Sequence, residues 1–328
     1  RHFERLVAER GVKMSIRSKD LVSIESLEQE EIDEIFSLTA DIKRAKSRYR
    51  NALGGKIVAL IFEKPSLRTR FTFEAGIYEL GGKGIYLGQD EIGLGKRESI
   101  HDVARNIERW SHGVVIRTFS HGNVTSFAAA CSVPVINGLD DLFHPCQALT
   151  DLFTLQEHKH SLKGLTVAWV GDGNNVLHSL LWGSVKMGVN IRIAVPKGYE
   201  PDPGITKKVL EIASARKVDV LITNSAREAV QGADAVYTDV WTSMGRESEA
   251  GERRKAFSQF RVDRSLMRMA KPEALFMHCL PAHRGEEATD EVIDAPYSIV
   301  FDQAENRLHL QKALLILLLG KEGTDDSK

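Results

Sequence analysis

Cysteine is scarce in this chain of 328 residues: Cys131, Cys146 and Cys279 are all it has. Three scattered thiols do not make a disulfide framework, and such usage points to a reducing compartment, the cytoplasm. Long apolar runs are lacking too. The longest late one, residues 313–319, falls far short of the roughly 20 residues that cross a bilayer, and it reads as part of a C-terminal helix docked on a core. Neither sign of charge dominates: 44 Lys and Arg stand against 45 Asp and Glu, a net charge of −1. The large uniform field that a nucleic acid or a membrane surface would require is missing, which excludes both as partners. Any anion bound here must be held by a local cluster of donors. Residues 1–19 carry neither an apolar signal core nor a small-residue cleavage site, and Glu4 and Glu9 are foreign to a transit peptide. They are expected to form a poorly ordered extension.

What is present is alternation. Apolar, β-branched runs lie at residues 56–62, 114–117, 133–137, 166–170, 191–196, 218–223, 235–240 and 275–280. Amphipathic stretches of helical period, such as 31–42, 99–110, 147–158 and 175–187, lie between most of them. Continuous apolar strands separated by helices predict parallel sheets covered on both faces. A chain of this length usually outgrows one core. The expected fold is therefore α/β: two doubly wound domains, each a mostly parallel sheet flanked by helices. The seam is sought within residues 144–160. The first domain takes residues 20–150, rejoined by a C-terminal helix at 304–322, and the second takes 151–303. Ligands of such sheets bind beyond the carboxyl ends of the strands, which predicts an active site in the interdomain cleft.

The first predicted strand runs into Glu63-Lys64-Pro65-Ser66-Leu67-Arg68-Thr69-Arg70, and a helical stretch follows at 72–80. Ser66 or Thr69 can cap that helix. Its free N–H groups and positive dipole end face the turn, and Arg68 completes a cradle for a phosphate. Arg70, two residues on, faces elsewhere on a helix and is assigned a structural salt bridge. On composition alone, a solvated turn with incidental basic residues is an equally open reading.

The segment resembles the Ser-Thr-Arg-Thr-Arg signature of the aspartate/ornithine carbamoyltransferase family, with Leu67 where many members have Thr. A contribution through the Leu67 backbone N–H survives that change. Three further segments resemble the family in the same order: Val114-Val115-Ile116-Arg117, His144-Pro145-Cys146-Gln147 and Ala304-Glu305-Asn306-Arg307. The resemblance implies that Ser66, Leu67, Arg68, Thr69, Arg117, His144, Gln147 and Arg307 bind carbamoyl phosphate. That molecule is a dianion with a carbonyl to polarise. Donors aimed at the carbonyl oxygen stabilise the tetrahedral oxyanion, and cations on the phosphate improve the leaving group. The loop at 91–99 has Gly93 where many bacterial members carry a glutamine offered to a neighbouring subunit.

The turn Gly171-Asp172-Gly173-Asn174-Asn175 has the outline of a dinucleotide-binding loop. However, Leu177 and His178 stand where a third glycine belongs, and the next strand ends in Pro196-Lys197 without an acidic residue for a ribose. A nicotinamide enzyme is the weaker alternative. In the carbamoyltransferase reading Asn175 holds the α-carboxylate of the amino acid. Asp239-Val240-Trp241-Thr242-Ser243-Met244-Gly245 ends a predicted strand and runs into polar residues 246–255, the composition of a mobile lid or of an ordinary solvated loop. It resembles the Asp-x-x-x-Ser-Met-Gly loop of the ornithine-specific members, which implies that Asp239, Ser243 and Met244 bind ornithine. An acidic residue suits a diamino acid and repels aspartate. His278-Cys279-Leu280-Pro281 is similar to the family's His-Cys-Leu-Pro, which implies that Cys279 and Leu280 lie beside the reacting amine and also bind carbamoyl phosphate. One cysteine beside His278 and His283 lacks the paired spacing of a zinc site, so neither metal nor cofactor is expected.

Together the matches imply transfer of a carbamoyl group to the δ-amine of L-ornithine, giving L-citrulline and phosphate in arginine metabolism. The implied catalytic set is Arg68, Arg117, His144, Asp239 and Cys279. Family members form trimers, so a homotrimer or a multiple of trimers is expected. Two alternatives stay open: a carbamoyltransferase for a modified ornithine or another amine, and a non-catalytic binding protein of the same fold.

Overall fold

The computed structural model describes residues 16–320 apart from Lys96, Met244 and Arg246. Residues 1–15, most of the expected extension, lie outside the described residues. The chain divides into two compact units: unit 1 is Arg1–Cys146 with Arg307–Lys328, and unit 2 is Gln147–Asn306.

Unit 1 runs α1 (Gln29–Arg44), β1 (Ile57–Phe62), α2 (Arg68–Glu79), β2 (Lys83–Gly88), α3 (Ile100–Trp110), β3 (Gly113–Arg117), α4 (His121–Ala130) and β4 (Val135–Leu139). Its four strands are parallel, in the order β2-β1-β3-β4. Strands β1, β3 and β4 are buried almost throughout, so each reads as an apolar run. Strand β2 was not expected. It is a half-exposed edge strand, Lys-Gly-Ile-Tyr-Leu-Gly, and an edge needs no continuous apolar face. Under the sheet, Ile61, Val103, Val114, Phe127 and Val135 belong to one buried cluster. Ile16 is buried too, and Lys19 donates to the Ala128 carbonyl at 3.0 Å. The body of unit 1 therefore takes in residues 16–19, which the sequence reading left to the extension.

Helix α5 (Pro145–Lys159) begins in unit 1 and continues into unit 2. Unit 2 then runs β5 (Thr166–Val170), α6 (Asn175–Met187), β6 (Asn190–Ala194), α7 (Pro203–Arg216), β7 (Val220–Thr223), α8 (Ala226–Val230), β8 (Ala235–Thr238), α9 (Ala250–Phe257) and β9 (Leu275–His278). Helix α10 (Val300–Leu319) starts in unit 2 and ends in unit 1. The five strands are parallel, ordered β7-β6-β5-β8-β9. Residues Val176 to Met187 of α6 are all buried, mostly apolar but with His178, Ser179, Ser184 and Lys186 among them. Among the described residues, no helix is long and apolar enough to cross a membrane.

Each sheet has a point where the strand order reverses, at β1/β3 in unit 1 and at β5/β8 in unit 2. Connections that leave in opposite directions open a crevice beyond the carboxyl ends of those strands. The register fills each crevice with particular residues. Phe62 pairs with Arg117, so the turn after β1 lies beside the end of β3. Thr238 pairs with His278, which makes their successors, Asp239 and Cys279, neighbours.

Candidate active site

In unit 1, α2 starts at Arg68, earlier than the expected 72, so the basic turn is the first turn of the helix. Of the two expected caps, Thr69 lies inside the helix, and the residue just before it starts is Leu67, whose backbone is already helical. Ser66 serves the same turn from one residue further out, its Oγ accepting from the Thr69 N–H at 3.2 Å. The Leu67 side chain is 75% exposed, which leaves its backbone as the part able to act. Arg70 takes the structural ion pair expected of it, with Nε 2.9 Å from Glu74 Oε1 and the guanidinium 3.6 Å from the Tyr86 ring centre.

Behind this turn positive charge is buried. Arg117, the last residue of β3, is buried, and its Nε has no hydrogen-bond partner among the described residues. Arg307 on α10 is also buried and donates through Nη2 to Thr69 Oγ1 at 3.0 Å. His144 directly precedes Pro145, the first residue of α5, and proline is favoured at that helical position. Burial, with Arg307 close by, pushes Arg117 down to about 10, so it keeps its charge at neutral pH. Burial and then the two arginines hold His144 well below the usual imidazole range; it stays neutral. Lys64 was missed in the sequence reading. It too is buried, its pKa lowered by desolvation and then by Arg117. Each buried cation costs several kcal/mol of desolvation, and mutual repulsion adds to that. A polyanion entering this cluster would relieve both costs, so the geometry is that of an anion site with α2's N-terminus at its mouth.

In unit 2 the centre is a carboxylate. Asp239 follows β8 and is buried. Its Oδ1 accepts from the Val240 N–H at 2.8 Å and from Cys279 Sγ at 3.0 Å, and its Oδ2 accepts from Asn174 Nδ2 at 2.7 Å. Asn174 was not expected here. It caps α6, its Oδ1 accepting from the Val176 and Leu177 N–H groups, and its other end holds Asp239. Asparagine at a strand-to-helix turn is the signal that could have found it. Asn175, the expected carboxylate ligand, is the first residue of α6. The turn is tight: a Cβ on Gly173 would stand 2.4 Å from the Pro201 nitrogen. Arg253, also unforeseen, is buried and donates to Asp172 Oδ2 at 3.0 Å and to the Trp241 carbonyl at 2.8 Å. It ties this turn to the loop after Asp239. Ser243 in that loop is half-buried, while Met244 lies outside the described residues. Gln147, on α5, donates to Asp151 Oδ1 at 2.8 Å.

Leu280 sits at φ +58°, unusual for a residue with a side chain. Its N–H donates to His278 Nδ1 at 2.9 Å, and His278 Nε2 faces Glu287 Oε1 at 3.0 Å. Ligand-type atoms do gather here, in Asp239–His278–Cys279 and in His283–Glu286–Glu287. Both ring nitrogens of His278 and the Cys279 thiol are nevertheless taken up by protein partners, so an ion in the first group would have to displace them. The amides that a dinucleotide pyrophosphate would use at α6 are given to Asn174.

Fold and site thus define a class: an α/β protein with an anion site at the switch point of one sheet and a buried acidic group beside a thiol at that of the other. Two family models match. The carbamoyl-P binding domain of aspartate/ornithine carbamoyltransferase matches residues 19–157, and the Asp/Orn binding domain matches residues 163–318. The chain belongs to the aspartate/ornithine carbamoyltransferase family. It is 47% identical over 310 residues to the ornithine carbamoyltransferase of Thermococcus kodakarensis, spanning 94% of this chain and 98% of that one. It is 49% identical over 302 residues to that of Thermus thermophilus, spanning 92% and 97%. Among solved structures, the ornithine carbamoyltransferase of Pyrococcus furiosus superposes with a TM-score of 0.91 at 45% identity, covering 95% of this chain and 100% of that one.

The neutral, buried His144 has a consequence for stability in the absence of ligand. Below its ordinary value of 6.5 the unfolded imidazole takes up a proton and the folded one does not. Stability contributed this way is present above that pH and falls by about 1.4 kcal/mol per unit as pH drops below it. Denaturant unfolding between pH 7.5 and 5 should show a shallower acid loss in His144→Asn than in the parent. Equal slopes would show that this histidine does not contribute.

Proposed function

We propose that this chain transfers the carbamoyl group of carbamoyl phosphate to the δ-amine of L-ornithine, releasing L-citrulline and phosphate. The observation that carries the reading is the pairing of opposite electrostatics: buried cations around Arg117 in unit 1 and a buried carboxylate, Asp239, in unit 2. The first suits a dianionic donor, and the second suits the distal ammonium of a diamino acid and opposes aspartate.

On this reading Arg68, Arg117 and Arg307 neutralise the phosphate, with Ser66, Thr69 and the Leu67 backbone at the helix mouth. His144 and Gln147 address the carbamoyl group, and Leu280 lies against it. Asn175, Asp239, Ser243 and Met244 hold ornithine. The free δ-amine has a pKa of about 10.4, like lysine, and its ammonium form has no lone pair for attack. The ammonium loses a proton beside the Asp239–Cys279 pair, and the amine lone pair then forms the new C–N bond. The resulting oxyanion is stabilised by donors aimed at it. Collapse breaks the C–O bond to phosphate, which leaves with the electron pair, and the nitrogen gives up its second proton. Ordering both substrates supplies much of the acceleration. No step uses a cofactor. The three cysteines, none of them in a disulfide among the described residues, support a reducing, cytoplasmic setting.

A citrulline assay comparing ornithine, aspartate, N-acetylornithine and putrescine tests the reading, and product from ornithine alone is the expected result. Arg68→Ala should raise the KM for carbamoyl phosphate by roughly 10- to 100-fold, the loss of a charge-assisted hydrogen bond, with ornithine affected far less. Equal losses for both substrates would contradict the division of labour. Cys279→Ala should lower turnover and change its pH dependence, while an unchanged pH profile would remove Cys279 from proton handling. The chain is also proposed to form homotrimers, for which the exposed Phe71, Tyr78 and Ile85 around α2 and β2 offer apolar surface. Light scattering reporting a monomer would refute that assembly.

A further inference from the structure

Three donors from separate elements of unit 2 converge on one buried carboxylate that the proposed mechanism leaves without a role. Asp151, on α5, has no exposed surface. Its Oδ1 accepts from Gln147 Nε2 and from Gln303 Nε2, each at 2.8 Å, and its Oδ2 accepts from the Tyr237 hydroxyl at 2.8 Å. All three donor residues are buried. Gln303 extends the network, because its Oε1 accepts from the His278 N–H at 3.0 Å. Each branch ends at a residue of the candidate site: Gln147 itself, Asp239 two residues beyond Tyr237 on the same strand end, and Cys279 next to His278.

We infer that Asp151 is a positioning residue, which sets the amide orientation of Gln147 and locks it to the strand ends that carry Asp239 and Cys279. A carboxylate offers only acceptor atoms to a neighbouring amide, so Gln147 must turn its NH2 end toward Asp151. Its carbonyl oxygen is thereby directed the other way, as an acceptor for an N–H of the carbamoyl group. Tyr237 is kept as a hydroxyl donor by burial and then by the charge of Asp151, which hold its pKa well above the usual phenol range. Gln303 has both ends of its amide fixed, one by Asp151 and one by the His278 backbone. Rigid support of this kind holds a polar contact to the small tolerance that catalysis needs. The inference rests on the carbamoyl-transfer reading and adds to it the residue that orients the donor's amide.

Acetyl phosphate makes the test specific. It carries a methyl group where carbamoyl phosphate carries NH2, so it bears the same phosphate and cannot donate to Gln147. In Asp151→Asn one amide replaces two acceptor oxygens, and Gln147 is free to reverse. The KM for carbamoyl phosphate should rise roughly tenfold, about one hydrogen bond, while competitive inhibition by acetyl phosphate stays within twofold. The preference between the two compounds therefore shrinks. Gln303→Met removes a donor without touching Gln147; it should lower kcat more than it changes either affinity, with thermal unfolding still cooperative. It also serves if Asp151→Asn does not fold. A merely structural Asp151 would weaken both phosphates alike or neither, and either result overturns the inference while parent enzyme making citrulline leaves the functional reading standing. Parent enzyme that makes no citrulline overturns both.

Discussion

Positive charge taken out of water is the constraint around which unit 1 is organised. Burial first, and then the neighbouring guanidinium charges, depress the proton affinity of Arg117 and of His144. A fold does not hold two guanidinium groups in this way for stability, because the desolvation of each outweighs what the interior returns. The arrangement makes sense as stored affinity for a multiply charged anion. Several features follow from it. Thr69 is buried where it can accept from Arg307, and α2 begins at Arg68 so that its amides open on the same place. Arg70 is turned aside to Glu74 and Tyr86, where it adds no repulsion to the buried cations.

Unit 2 shows the opposite sign at the equivalent point of its own sheet. Asp239 is held by a backbone N–H, an asparagine and a thiol, none of which carries a full positive charge. Its charge is solvated by dipoles yet not cancelled, so an incoming ammonium can still be attracted. Asn174 matters doubly here, because one side chain both terminates the helix and fixes the carboxylate. Arg253, a full cation, is placed instead on Asp172 and the Trp241 carbonyl. There it braces the loop that follows Asp239.

The two units thus solve related problems with one architecture. A reversal of strand order brings together residues from distant parts of the chain, and what differs is the charge installed there. The same architecture can thus carry a cationic site or an acidic one, because the charge comes from a few side chains at the strand ends. In the interior network Asp151, Gln303 and Tyr237 do not meet the substrate themselves, and their influence reaches it through the orientation of Gln147.

Much of this was legible in the residues alone. The buried strands declared themselves as apolar runs because parallel sheets hide both faces, and α6 was read with the bounds it has, Asn175–Met187. The short motifs around Arg68, His144, Asp239 and Cys279 carried the family resemblance. Other features needed three dimensions. Strand β2 gave no signal because an edge strand can be half exposed. Helix α2 began early because Arg68 itself supplies its first turn. Arg253, Lys64 and the links from Asp151 to Tyr237 and Gln303 could not be singled out from the sequence, because those partners lie tens of residues away and only the tertiary fold makes them neighbours. Residue type sets what a side chain can do, whereas long-range register decides which group it does it to, and that depends on how the whole chain minimises buried, unpaired charge.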